Sequence, residues 1–307
     1  MSSQLVELSN ALASATEQAA ANVVAVHSEP RGSASGVVWR SNIIVTSEHA
    51  LRRDEEIRVT LADGRVAAAT LVGRDPSTDL AVLKCAEATN AIATTNIGDA
   101  TTLKPGSLIL AVGRTRVSGP VAAFGAVSLV APERKTWTGV SLSPYVRLDV
   151  SIQPTAVGGA VVDAAGKILG IITPRFGRFG STLTPAATVN SVVDTLLEKG
   201  RIPRGYLGVG LQPVRVPEAL RQSLKRDDRT AAIVLEIEPD SPANKAGLMI
   251  GDIIVSLGGD KVTRLEDIHS KLHGSAIGKS FAIGFVRGGA LQTAEITVAE
   301  RPHGGER

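Results

Sequence analysis

A single cysteine, Cys85, excludes an internal disulfide. It follows the apolar run Leu80-Ala81-Val82-Leu83 and reads as a small core residue rather than a reactive thiol. No apolar run reaches the roughly 18 to 20 residues of a membrane helix, which argues against a membrane span. The N-terminus lacks the charged, apolar and small-residue regions of a signal peptide, so the chain as it stands reads as cytoplasmic; only a leader trimmed beforehand would make it extracytoplasmic. Lys and Arg outnumber Asp and Glu by 33 to 30, for a net charge of +3. The basic groups, Arg52-Arg53, Lys199 to Arg204 and Lys225 to Arg229, carry no interleaved aromatics, which speaks against nucleic acid as a partner. Aromatic residues are only 3% of the chain, so its cores must be filled by aliphatic side chains.

What is present is a length of 307 residues, enough for about two domains. Hydrophobic content is 43% and charged content 21%, as in an ordinary globular protein. Leu5, Leu8, Leu12 and Ala15 or Ala19 share a helical face and predict an amphipathic lead-in helix within residues 1–21, docked on its own domain. From residue 22 the pattern becomes β-rich: Val23 to Val26, Gly36 to Trp39, Ile43 to Thr46, Ile57 to Leu61, Arg65 to Val72, Leu80 to Lys84 and Leu108 to Gly113. Val121 to Val130, Tyr145 to Val150, Ala160 to Val162 and Ile168 to Thr173 continue it, with Asp63-Gly64 as a hairpin turn. A dozen or so short strands suit two small barrels. Val189 to Lys199 returns to helical period and stops at Gly200, closing a first domain over 22–199, with 200–204 as a linker.

Three segments in this domain carry chemistry: Thr46-Ser47-Glu48-His49-Ala50, Thr78-Asp79-Leu80-Ala81-Val82-Leu83-Lys84, and Ile152 to Ala160. They resemble the T-x-x-H-V, T-D-L-A-V-L-K and I-N-P-G-N-S-G-G-P segments of the HtrA/Deg family of trypsin-like proteases with appended PDZ domains. The resemblance implies a mainly β fold, a chymotrypsin-like double β-barrel followed by an α+β PDZ domain. It also implies that His49 holds the position of the base and Asp79 that of the carboxylate orienting it.

The third segment departs from the family. Thr155-Ala156-Val157-Gly158-Gly159-Ala160 stands where G-N-S-G-G-P is expected, so Val157 takes the nucleophile's position and has no atom that can attack a carbonyl. Thr155, Ala156 and Val157 line the expected oxyanion-hole turn, and a β-branched Thr155 disfavours the backbone geometry that glycine allows there. Thr155 and Ser151 are the nearest hydroxyls in sequence, neither at the tip of the loop. Ala111-Val112-Gly113-Arg114-Thr115 likewise replaces the family's A-I-G-N-P, and Ser181 to Pro185 a strand beside the specificity pocket.

Residues 205–300 contain Tyr206-Leu207-Gly208-Val209, Ser241-Pro242-Ala243, Ala246-Gly247-Leu248 and Gly251-Asp252-Ile253-Ile254, a series that resembles a PDZ domain. The resemblance implies that the Tyr206 to Val209 turn receives a terminal carboxylate, that Gly208 leaves room for its approach, and that the next strand pairs with an incoming peptide. Leu265 to Leu272 reads as the groove helix, with Leu265, Ile268 and Leu272 on one face, as much core as groove. His269 and His273 are four apart, but without a Cys or carboxylate cluster no metal is expected, nor any cofactor. Residues 301–307 read as a flexible tail.

The expectation is therefore a nucleophile-less protease homologue that binds hydrophobic C-terminal tails or unfolded segments. The rival is an active serine endopeptidase using a displaced hydroxyl. A third reading is a regulatory subunit, since the family resemblance implies a trimer, either of this chain alone or mixed with an active relative.

Overall fold

The β-branched runs fold as short strands, several of which are buried on both faces. In the computed structural model, which describes residues 2–27, 33–92, 96–132, 134–135, 141–174, 176, 180–223, 227–272 and 274–302, helix α1 (Ser2–Ala20) comes first. Strands β1 (Val23–His27), β2 (Ala34–Arg40), β3 (Ile43–Ser47), β4 (Ile57–Thr60), β5 (Val66–Asp75) and β6 (Leu80–Lys84) close into a barrel in the order β1-β2-β3-β6-β5-β4. A second barrel contains β7 (Leu108–Thr115) and β8 (Gly119–Ala131). After a two-stranded pair, β9 (Arg134–Lys135) and β10 (Ser141–Leu142), the second barrel is completed by β11 (Tyr145–Asp149), β12 (Ala160–Asp163), β13 (Ile168–Thr173) and β14 (Ser181–Pro185). Its order is β11-β14-β13-β12-β7-β8.

Alternation along each strand divides the cores. Val24, Val26, Val38, Ile44, Ala81 and Leu83 fill the first barrel. Their neighbours Val23, Val37, Val45 and Val82 instead meet Leu110, Val112, Ala160 and Val162 of the second barrel in a shared layer. Burial of both faces is why these strands read as continuous aliphatic runs.

Helix α1 corrects the sequence expectation. Ala15 and Ala19 are buried and Leu12 packs behind them, but Leu5 and Leu8 are 70% and 41% exposed, so the expected apolar face docks only over its second half. The docked end is held by Arg114, whose guanidinium donates to Ala20 O (2.9 Å) and Val23 O (2.6 Å). The first satisfies a carbonyl at the helix end that has no intrahelical donor, and the second ties the start of β1 to the same guanidinium. Helix α2 (Ala186–Lys199) begins at Ala186 rather than Val189, follows Pro185, and ends on Gly200 in the left-handed region at φ 68°.

The C-terminal unit holds β15 (Gly205–Tyr206), β16 (Val209–Arg215), α3 (Glu218–Ser223), β17 (Thr230–Ile237), α4 (Pro242–Lys245), β18 (Ile253–Leu257), β19 (Asp260–Lys261), α5 (Leu265–His269), β20 (Ser280–Arg287), β21 (Ala290–Thr297) and β22 (Ala299–Glu300). The main sheet runs β16-β17-β18-β20-β21, with β19 on β18, while β15 pairs separately with β22. Strand β16 is therefore a sheet edge, where Pro213 is tolerated because no ladder bond is lost.

Here too expectations change. Helix α5 ends at His269, because Lys271 and Leu272 donate to Ile268 O and His269 O in tighter turns, and Leu272 O then accepts from Gly205 N–H at 2.9 Å. His273 lies outside the described residues, as do 303–307 of the expected tail. Arg301 is not loose, since its N–H donates to Arg204 O at 2.9 Å.

Candidate functional site

The antiparallel register of β3 and β6 ends at Ser47 opposite Leu80, which brings the residue after one strand against the residue before the other. Glu48 N–H donates to Asp79 O at 3.1 Å, and the 3-10 turn Glu48–Ala50 then delivers His49 onto the Asp79 carboxylate. His49 Nδ1 lies 2.9 Å from Oδ1 and 2.8 Å from Oδ2, and His49 N–H donates to Oδ1 at 3.0 Å. A nitrogen facing two carboxylate oxygens carries the proton, which fixes the imidazole tautomer.

Asp79 is fully buried and sits at φ +57°, a conformation Asp tolerates better than most residues. Burial pushes its carboxyl up, yet the bonds from His49 and Thr173 and the charge of His49 outweigh burial and hold it below the ordinary carboxylate range. Ser47 Oγ donates to Oδ2 at 2.7 Å, and Thr173 Oγ1 donates to the same oxygen. Neither Ser47 nor Thr173 stood out in the sequence. Ser47 lay inside a quoted motif and Thr173 ended a predicted strand, but nothing local aims either hydroxyl at Asp79.

Arg74 is a further residue that sequence reading missed. Its guanidinium donates to Glu48 O (3.0 Å), Leu51 O (2.8 Å) and Asp54 Oδ1 (2.5 Å), clamping the segment on both sides of His49.

The third segment arrives from the start of β12. Pro154–Ala156 form a 3-10 turn, in which Ala156 N–H donates to Gln153 O (2.9 Å) and Val157 N–H to Pro154 O (3.3 Å). The peptide bond between Pro154 and Thr155 is trans, so its C=O and N–H point in opposite directions. With Pro154 O aimed at Val157 N–H, Thr155 N–H points away from it. Those two donors diverge, and a carbonyl covers one of them. Val157 itself is buried, 8% exposed.

Ser35 ties this turn to the first barrel. Its N–H donates to Val157 O (2.8 Å), its hydroxyl donates to Thr155 O (2.6 Å), and its Oγ accepts from Arg114 N–H (2.8 Å). The next residue, Gly158, has φ +80°, and a Cβ there would lie 2.5 Å from Ser35 O and 2.7 Å from Ser47 N. That close approach sets the turn against the end of β3, beside the His49 segment. Gly158 N–H also donates to Ile172 O, next to Thr173, so β13 holds both the turn and the carboxylate.

The hydroxyls nearest in sequence do not serve His49. Thr155 Oγ1 is buried with no hydrogen-bond partner among the described residues, and Ser151 is exposed. Ser47 lies 2.8 Å from His49, but at Nδ1, the nitrogen on the Asp79 side.

In the C-terminal unit, Leu207 O accepts from Ala243 N–H and Gly208 O from Glu238 N–H, both at 2.9 Å. By the same peptide geometry Gly208 N–H points away from α4, and Val209 N–H points away from β17 toward the open edge of β16. Gly208 has a structural reason beyond ligand approach: at φ +73° its Cβ would lie 2.2 Å from Ser241 Cβ. Tyr206 stands beside this turn with Oη donating to Glu238 Oε2 at 2.5 Å; burial first, then Glu238, push its phenol up to about 12. Leu207 and Ile268 are buried in the domain core, so Ile268 is a core residue rather than a surface contact, while Val209, Leu211, Leu265 and Leu272 are only partly buried against that core.

Comparison with known proteins now bears on both units. Residues 34–171 match the model of a trypsin-like peptidase domain, and residues 205–298 match that of a PDZ domain. A probable periplasmic serine endoprotease, DegP-like, from Brucella suis is 31% identical over 283 residues, covering 90% of this chain and 54% of that protein. Protease Do-like 1, chloroplastic, from Arabidopsis thaliana is 29% identical over 291 residues, covering 89% and 65%. Over both units the chain is similar to HtrA proteases. Among solved HtrA structures, the HtrA-type protease AlgW with a decapeptide superposes at a TM-score of 0.72 with 25% identity, covering 94% of this chain and 98% of that one. The serine endoprotease from Yersinia pestis superposes at 0.71 with 28% identity, covering 94% and 97%. The chain spans about half the length of the DegP-like relative, at 54%. Among the described residues no helix is long and apolar enough to cross a membrane.

Proposed function

We propose that this chain is a catalytically silent HtrA homologue that binds hydrophobic C-terminal peptides or unfolded segments through its PDZ domain. His49 and Asp79 keep the base and its orienting carboxylate, and Val157 takes the place of the nucleophile. The observation that carries this reading is the divergence of Thr155 N–H from Val157 N–H, with Pro154 O against the latter. Acyl transfer needs donors converging on one developing oxyanion, and the loss of one donor alone costs roughly a hundred- to a thousandfold in rate. Here the nucleophile is absent as well.

Binding is supported by the free edge of β16, the outward N–H groups of Gly208 and Val209, and the half-buried apolar residues along the edge. The AlgW structure with a decapeptide accords with a peptide ligand for this unit.

The relatives are named as serine endoproteases, so the competing reading is proteolysis through a displaced hydroxyl. Treating the purified chain with a fluorophosphonate probe and with unfolded casein separates the two. No covalent labelling and no cleavage are expected. Labelling, or casein cleavage that disappears in His49→Ala, would overturn the silent reading.

A further inference from the structure

The open edge of β16 is charged on one side. Glu236 of β17 lies directly opposite Gly210 of β16 in the antiparallel register. A Cβ on Gly210 would lie 2.9 Å from Glu236 Cβ and 3.5 Å from its Oε2, so the carboxylate leans over the β16 backbone into space that any other residue would fill. Glu236 is exposed. Glu238, on the same outer face two positions on, is engaged by the Tyr206 hydroxyl. The inner face is apolar, since Val209 and Leu211 pack with Leu265 and Leu272 against the domain core.

We propose that Glu236 selects a cationic residue, Lys or Arg, at the penultimate position of a C-terminal peptide whose last residue is apolar. The proposal rests on the peptide-binding reading above and names the ligand's chemistry. A strand added to β16 shares faces with it, because directly opposed residues point to the same side of a sheet. A carboxylate received by Gly208 and Val209 N–H sets the last residue beside Val209, on the apolar face. The residue before it then falls beside Gly210, on the outer face. Strands are about 4.8 Å apart, so Glu236 is two strand spacings from that ligand residue, within reach of a long Lys or Arg stem. Gly210 puts no side chain between them. An acidic penultimate residue would meet Glu236 as a like charge.

The test is fluorescence anisotropy of the full chain with labelled octapeptides that differ only at their ends: Lys-Val, Glu-Val, and Lys-Val with an amidated terminus. The expected result is binding of Lys-Val about two- to fivefold tighter than Glu-Val, the range of an exposed ion pair, with loss of binding on amidation. Glu236→Gln should abolish the preference and Glu236→Lys invert it. Equal affinity for the two free-acid peptides would overturn the role of Glu236 while leaving the peptide-binding reading intact. Undiminished binding of the amidated peptide would overturn the assigned position, since the edge would then accept internal segments. Binding of none of the three would remove the peptide reading and this proposal together.

Discussion

The Ser35 hydroxyl donates to the Thr155 carbonyl at 2.6 Å, joining a strand of the first barrel to the turn where an HtrA protease would carry its nucleophile. Ser35 is fully buried, and its Oγ also accepts from Arg114 N–H. Ser35→Ala leaves the Thr155 carbonyl and the Arg114 N–H unpaired inside the protein. A loss of about 1–3 kcal/mol is expected, read from chemical denaturation against the unaltered chain.

Val157→Ser alone should leave casein cleavage at the background of the unaltered chain, because the new hydroxyl faces a hole filled by Pro154 O. Adding Thr155→Gly to Val157→Ser relaxes the backbone at the diverging donor and should raise cleavage above the single variant. Substantial proteolysis by the single variant would mean that the hole opens unaided.

Gly158→Ala tests why glycine persists here without a nucleophile beside it. A Cβ at φ +80°, 2.5 Å from Ser35 O, forces the turn away from β3. Roughly 3 kcal/mol of destabilisation is expected from backbone strain and overpacking combined, read as a fall in thermal midpoint.

Asp79 should govern stability in acid. Its carboxyl is held below the ordinary value of 3.8, so it contributes stability above that pH, and the contribution is lost as pH falls through the lower folded value. The stability gap between the unaltered chain and Asp79→Asn should be widest above about pH 5, begin to narrow below about pH 4 and close only once pH has fallen through the lower folded value. A gap independent of pH would show that the carboxylate is not what the bonds from His49 and Thr173 stabilise.

Tyr206 should titrate late. The chain has 2 tyrosines, so subtracting the phenolate absorbance of Tyr206→Phe isolates it. A midpoint near about 12 is expected, moving down toward 10 in Glu238→Gln. Since the folded value is the higher one, this contribution to stability is present below pH 10 and is lost as pH rises towards about 12.

Helix α1 depends on Arg114 for its docked end. Arg114→Met removes the bonds to Ala20 O and Val23 O, and amide exchange near Ala15 to Ala20 should accelerate while the first turns, already exposed at Leu5, change little.

The sequence by itself determined the class of fold and the order of its parts. Aliphatic runs of strand length, the stop at Gly200 and the strings around His49, Asp79 and Ser241 are local patterns, and local patterns set which face of a strand is apolar and where a helix ends. The exposed first half of α1 was not legible, because periodicity marks an apolar face without saying how far a partner extends beneath it. The same holds for Ile268, whose helical spacing fitted core and groove alike. The convergence of Ser47 and Thr173 on Asp79, the clamp of Arg74, and the hold of Ser35 on Thr155 belong to the tertiary structure alone. Each joins residues far apart in the chain through barrel closure and strand register, and hydroxyl direction follows from those pairings rather than from neighbours in sequence. The direction of Thr155 N–H was decided there too: Thr155 disfavours the open turn, but it was the bond from Val157 N–H to Pro154 O that turned the donor away.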